Sequence, residues 1–295
     1  MSWFEALIYG LVQGLTEFLP VSSSAHIRLT AVLAGWQDPG AAFTAVLQLG
    51  TELGILIYFR RDIWNIASAW ARSLVSKEAR GELNARLGWL VLLGSIPIGV
   101  LGVLLKDAIE GPFRDLRLIA ASFIVLGIAL GVADRIASQA EAGGRHRAGR
   151  PRKGIEELGV RDGLVFGAWQ ALALIPGMSR SGVTMTGGLY LGYSRAATAR
   201  YSFLLAIPAV FASGLYEVGS IGEEAAHVSW PMTIFATVIS FVVGYAVIAW
   251  FMKWISTRTF APFVWYRIIG GIVILALVWG GVVDPMEGAD FGKGE

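Results

Sequence analysis

Residues 10–24 read GLVQGLTEFLPVSSS and residues 167–181 read GAWQALALIPGMSRS. With a one-residue shift, the two stretches share Gly, Gln, Leu, Pro and Ser at matching places. Each lies in an apolar region that does not read as a simple span. The region 2–35 is broken at Pro20 and by Ser22, Ser23, Ser24 and His26. The region 160–192 is broken at Pro176-Gly177 and by Ser179, Arg180 and Ser181. Each half is too short or too polar to cross a bilayer alone, so each pair predicts a re-entrant helix–loop–helix. Irregular backbone at membrane depth survives only where it lines a cavity or is buried in protein.

Composition agrees. Of 295 residues, 55% are hydrophobic and 16% charged, against about 25% charged in an ordinary soluble domain. The 37 Gly and 11 Trp suit close helix packing and interfacial belts. No Cys is present, which excludes thiol chemistry, and a net charge of +2 points to no nucleic-acid partner. Six stretches approach the roughly 17–25 apolar residues of a span: 41–59, 87–105, 118–133, 195–216, 231–253 and 266–283. Basic residues concentrate in cytoplasmic loops. The stretch 134–161 holds Arg135, Arg145, Arg147, Arg150, Arg152, Lys153 and Arg161, whereas 217–230 carries only acidic charges, Glu217, Glu223 and Glu224. This places 134–161 inside, and 217–230 and both ends of the chain outside. The loop 106–117 dissents, with Lys106, Arg114 and Arg117 set against Asp107, Glu110 and Asp115. The first residues do not read as a cleavable signal.

The expected architecture is therefore an all-α integral membrane protein. It has six transmembrane helices plus two re-entrant pairs in inverted-topology repeats, within one membrane domain, 1–295. The first repeat covers 1–133, a flexible basic linker 134–159, the second repeat 160–283, and a polar tail 284–295. The two broken pairs enter from opposite sides and meet near the midplane, where inverted repeats place a site.

Ionisable groups at membrane depth are functional by default. The first pair holds Glu17 and His26, with Gln13 four residues before Glu17 on the same helix face. The second holds Arg180 between Ser179 and Ser181, followed by Thr184, and flanked by Gly177 and Gly182. A structural Glu17–Arg180 ion pair would not need so many hydroxyls. An Arg among hydroxyls and backbone N–H groups at a helix start suits a phosphate. The chemistry that fits is phosphoryl transfer, with Ser or water as nucleophile, His as proton carrier, and a carboxylate that orients it or holds a metal.

GLTEFLPVSSSAH and PGMSRSGVT resemble the two signatures of the undecaprenyl-diphosphate phosphatase family, the bacitracin-resistance type. The first follows that family's (E/Q)-x-x-x-E pattern through Gln13 and Glu17, then Ser-Ser-x-x-His. The second follows P-G-x-S-R-S-x-x-T through Ser179, Arg180, Ser181 and Thr184. FTAVLQLGTELGILIYF and YSFLLAIPAVF resemble family spans too, so the likeness covers nearly the whole chain. The resemblance implies removal of the terminal phosphate of undecaprenyl diphosphate, recycling the lipid carrier for peptidoglycan synthesis in the bacterial plasma (inner) membrane. It implies a divalent cation (Mg2+ or Ca2+), a possible homodimer, and bacitracin as a competitor that sequesters the substrate. By motif match Glu17, Ser23, His26 and Arg180 are the catalytic candidates, with Glu17 also a candidate metal ligand. Gln13, Ser22, Ser24, Gly177, Ser179, Ser181 and Thr184 are candidates to bind substrate. The expected chemistry has Ser23 attack phosphorus with His26 as base and Glu17 orienting His26 or assisting the metal. Direct attack by water is the competing version.

Gln48 and Glu52, four apart in 41–59, read equally as support around the site or as an interhelical hydrogen bond. His146 and His227 fall in expected loops, and Trp64, Trp70, Trp250, Trp254 and Trp265 near span ends, where a belt explains them. A type-2 phosphatidic acid phosphatase would show a K-x6-R-P motif, which the chain lacks. A transporter or lipid flippase is the rival from another class, and it would release no phosphate.

Overall fold

The computed structural model describes residues 1–105, 109, 113, 115–143, 152–224 and 229–286, leaving aside side chains at 41, 42, 142, 143, 213 and 215–224. Among these residues the chain is all-helical and has no strand, only an isolated bridge between Lys153 and Tyr193. The helices are α1 (Trp3–Thr16), α2 (Ser23–Ala34), α3 (Gly40–Tyr58), α4 (Arg60–Val75), α5 (Leu83–Leu104) and α6 (Leu116–Gly143). After a break follow α7 (Val160–Ala171), α8 (Arg180–Tyr190), α9 (Arg195–Glu224), α10 (Trp230–Ile255) and α11 (Ala261–Trp279). Both broken pairs form as expected: α1 and α2 flank the first loop, α7 and α8 the second. The order of two short helices and three longer ones in α1, α2, α3, α5 and α6 is matched by α7, α8, α9, α10 and α11, with α4 outside it.

The two halves interlace. Helix α1 packs on α10 of the other half, as α7 packs on α5; α3 packs on α10, as α9 packs on α5; α6 and α11 pack on each other. Small residues permit this closeness. A Cβ on Gly10 of α1 would stand 2.6 Å from the Ala236 carbonyl of α10, and one on Gly167 of α7 would stand 2.5 Å from the Gly94 carbonyl of α5. Ser2 starts α1 with a reciprocal cap, its hydroxyl accepting from Glu5 N and the Glu5 carboxylate accepting from Ser2 N, both at 3.2 Å.

Among the described residues four helices are long and apolar enough to cross a membrane: α5, α6 over Leu116–Glu141, α10 and α11; the apolar part of α3, Phe43–Tyr58, is shorter. Several boundaries differ from the sequence reading. Helix α11 begins at Ala261 rather than 266, and α9 runs on to Glu224, so Glu217, Glu223 and Glu224 lie on a helix rather than in a loop. Helix α6 runs to Gly143, ten residues into the expected flexible linker. A buried network explains that extension. Arg195 donates to Asp134 at 2.6 Å, to Ser138 at 2.6 Å and to Glu141 at 2.8 Å, while Asp134 also accepts from Phe260 N at 2.9 Å. Arg117 pairs with Asp115 at 2.6 Å, and its hydrogen bonds hold that carboxyl below the usual carboxylate range. Lys106, Asp107, Glu110, Arg114, Arg145, His146, Arg147, Arg150, His227 and the tail beyond Met286 lie outside the described residues.

Helix α4 lies outside the six stretches that the sequence offers as spans. It is amphipathic, burying Ile66, Ala69 and Ser73, and its Trp70 packs against Gly88 of α5. Trp64, Trp250 and Trp265 are exposed, but Trp70 packs on Trp89, and Trp254 on Phe251 and Phe263.

Candidate active site

Two short loops, between α1 and α2 and between α7 and α8, come together in the interior. Ser22 and Ser179 occupy equivalent places as N-caps of α2 and α8. Both adopt positive φ, 72° and 61°, and among the described residues they are the only non-glycines to do so. A left-handed conformation costs an ordinary residue roughly 1–2 kcal/mol, so each loop stores strain where it turns into a helix. The hydroxyl contacts match as well: Ser22 to Ser24 at 3.3 Å, and Ser179 to Ser181 at 3.2 Å. Ser179 Oγ also accepts from Gly182 N at 3.2 Å, capping α8. In this correspondence Ser23, the first residue of α2, stands where α8 has Arg180.

Glu17 is the hub. Its Oε1 accepts from Arg180 Nη2 at 2.6 Å and from Gln48 Nε2 at 3.2 Å. Its Oε2 accepts from Ser23 Oγ at 2.5 Å and from Gln13 Nε2 at 2.9 Å. Arg180 Nη2 also donates to Glu52 Oε1 at 3.1 Å. The motif residues Gln13, Glu17, Ser23 and Arg180 therefore meet, and α3 brings Gln48 and Glu52 into direct contact with them. Glu52 is fully buried and its interhelical hydrogen bond runs to Arg180 itself, so both sequence readings meet in one contact. Three buried atoms of this cluster have no partner among the described residues: Arg180 Nη1, Glu52 Oε2 and Gln13 Oε1.

His26 is placed differently from the expectation. Glu17 does not orient it; Glu17 holds Ser23 and Arg180 instead. The His26 ring lies between the Ser22 carbonyl, 2.7 Å from Nδ1, and the Tyr266 hydroxyl, 2.5 Å from Nε2, with Tyr266 stacked on it. A carbonyl only accepts, so Nδ1 carries a proton, and in the neutral ring Nε2 accepts from Tyr266. Ser24 is exposed, whereas Ser181 donates to the Leu19 carbonyl at 3.1 Å and ties the second loop to the first. Thr184 is fully buried and donates to Arg180 O at 2.8 Å, so it supports the first turn of α8 rather than facing the cluster. Gly177, with φ +88°, presses on α6, where a Cβ would meet the Ile119 carbonyl at 2.8 Å.

Sequence reasoning missed Tyr266 and Arg267. Arg267 is wholly buried and donates to the carbonyls of Pro20, Ser122 and Gly177. With α11 starting at Ala261, this arginine lies nearly two turns inside an apolar helix, a placement that by itself marks it for attention.

The arrangement offers an activated hydroxyl, Ser23 against a carboxylate, beside a guanidinium with an open donor. Two helix N-termini add backbone N–H groups and positive dipole ends to the same place. That combination suits transfer of a phosphoryl group. Comparison with known proteins agrees. Residues 6–273 match the family described as "Bacitracin resistance protein BacA". The chain is 66% identical over 285 residues to "Undecaprenyl-diphosphatase 2" of Streptomyces avermitilis, covering 97% of this chain and 98% of that one. It is 64% identical over 292 residues to "Undecaprenyl-diphosphatase" of Streptomyces griseus, covering 99% and 100%. It is 56% identical over 292 residues to the protein of the same name from Thermobifida fusca, covering 99% and 95%. The chain belongs to the bacitracin resistance protein BacA family.

Proposed function

We propose that this chain is an undecaprenyl-diphosphate phosphatase that releases the terminal phosphate of the lipid and returns undecaprenyl phosphate for peptidoglycan synthesis. Family membership and near-full-length identity support the activity. One observation carries the chemistry: Arg180 is held by Glu17 and Glu52 through Nη2, which leaves Nη1 buried and, among the described residues, without a partner. An orphaned donor there costs roughly 1–3 kcal/mol, and a phosphate oxygen would satisfy it.

In this reading Arg180 and the N-termini of α2 and α8 bind the diphosphate. Ser23 Oγ attacks the terminal phosphorus as Glu17 takes its proton, and the 2.5 Å contact between them favours Glu17 over His26 as that base. The phosphorus–oxygen bond to the lipid side breaks, and its electron pair leaves on undecaprenyl phosphate. Water then cleaves phosphoserine, regenerating Ser23 and inorganic phosphate, with His26 Nε2 available to move its proton once Tyr266 yields. The oxygens of Glu17 and Glu52 and the orphaned amide oxygen of Gln13 are the hard donors that Mg2+ or Ca2+ takes. A cation held there would offset charge on the diphosphate. Among the described residues no three acidic, His or Cys side chains cluster for a metal.

The membrane arrangement belongs to the same proposal: α3, α5, α6, α9, α10 and α11 span the bilayer, and α1–α2 and α7–α8 enter from opposite faces as inverted repeats. The four strongly apolar helices and the interlaced packing of the halves support it. We place the protein in the bacterial plasma membrane as a multi-pass chain that forms a homodimer, with bacitracin competing by sequestering the lipid diphosphate. Phosphate release by the purified protein tests the activity; release by a folded Ser23→Ala variant at the wild-type rate would move the attack from Ser23 to water.

A further inference from the structure

We propose that Arg267 is a positioning residue that fixes the two broken loops against each other so that Ser23 and Arg180 face one phosphate; the proposal rests on the phosphatase reading above. The guanidinium lies where three separate segments converge. Its Nη1 donates to Pro20 O at 3.1 Å in the first loop, and its Nη2 donates to Gly177 O at 2.7 Å in the second and to Ser122 O at 3.1 Å in α6. Pro20 and Gly177 are each two residues before the strained cap serines, Ser22 and Ser179. A shift of either carbonyl therefore carries directly to the residue that starts α2 or α8.

Arginine suits this place and lysine does not. A planar fork presents several N–H donors in fixed directions, whereas an ammonium offers one nitrogen. The Phe123 ring covers the guanidinium, with Cζ 4.7 Å from its centroid, and sets its plane. Helix α11 is itself pinned to α6, since a Cβ on Gly271 would stand 2.8 Å from the Ala120 carbonyl. Among the described residues no carboxylate pairs with Arg267, so its charge stays uncancelled beneath both loops, where an incoming diphosphate is negative. Ser181 to Leu19 O and Arg180 to Glu17 also join the loops, but both belong to residues at the reacting face; Arg267 joins them from behind.

The test uses full-length protein in detergent, comparing wild type with Arg267→Lys and Arg267→Gln, with undecaprenyl diphosphate as substrate. In variants that keep a cooperative melt, kcat falls about 100-fold, as expected for a displacement on the order of 1 Å, while KM changes less than about threefold. Amide hydrogen exchange at 17–22 and at 176–181 accelerates in parallel. A folded variant with wild-type kcat, or one whose loss lies wholly in KM, would overturn the proposal. If neither variant folds, exchange in the wild type decides. The clasp requires the two loops to open together, and unrelated opening rates refute it. Wild-type protein that releases no phosphate would instead refute the phosphatase reading, and the exchange result would still stand or fall alone.

Discussion

Replacing Arg180 by lysine separates the two tasks of its guanidinium. Nη2 holds Glu17 at 2.6 Å and Glu52 at 3.1 Å, and Nη1 has no partner among the described residues. A lysine keeps the positive charge, but its single nitrogen settles between the two carboxylates, so no second nitrogen reaches out to the phosphate in a fixed direction. One hydrogen bond to a charged group is worth about 1.5–3 kcal/mol, or roughly 10- to 150-fold in rate at about 1.4 kcal/mol per decade. Arg180→Lys is therefore expected to lower kcat/KM by that factor with little loss of folded protein. Arg180→Ala also removes the counter-charge and leaves Glu17 and Glu52 facing the diphosphate, a loss on the order of 10⁴-fold. The assay is inorganic phosphate released from undecaprenyl diphosphate in detergent, with folded fraction followed by thermal melting. An Arg180→Lys enzyme within about threefold of wild type would refute the two-task reading.

Further outcomes follow from other contacts. Ser23→Ala lowers turnover by at least about 10³-fold, and acid-quenched wild type given terminally labelled substrate carries label on Ser23; unlabelled protein with full turnover contradicts this. Tyr266→Phe removes the hydroxyl from His26 Nε2 and reduces kcat/KM about tenfold, while an unchanged rate means the ring needs no such partner. Gly167→Ala drives a methyl to within 2.5 Å of the Gly94 carbonyl and costs about 1–3 kcal/mol of stability, whereas Gly99→Ala, with open space around it, does not lower the melting temperature. Ser22→Gly relieves the positive φ and raises stability by roughly 1 kcal/mol, yet slows turnover because the loop is freer; a variant that is both less stable and fully active argues against stored strain.

The broken pairs were legible because Pro20, Pro176-Gly177 and the serine runs interrupt otherwise apolar stretches, and Gln13 and Glu17 declare a shared helix face by spacing alone. The partners of Glu17 were only half legible. Gln48 and Glu52 show a common face, but nothing local says that this face turns towards Arg180 from α8. His26 was assigned to Glu17 because both lie in one loop region; in three dimensions the ring turns to Tyr266, some 240 residues away in sequence. Arg267 is hidden in the sequence because the apolar stretch reads as 266–283, which sets the arginine at its edge. The true start at Ala261 is set by Pro262 in the first turn. Helix α4 was hidden by length: it is amphipathic and too short to span, and Arg60-Arg61 imitates the end of its predecessor.

The most direct measurement of the central claim is phosphate release from undecaprenyl diphosphate by wild type, Arg180→Ala and His26→Ala, each with Mg2+ present and then chelated. The account predicts rapid release by the wild type, loss on chelation with recovery when the ion returns, and near-total loss in both folded variants. Wild-type protein that is folded, binds the lipid and liberates no phosphate would contradict it and reassign the same polar loops to carrying a phosphorylated lipid.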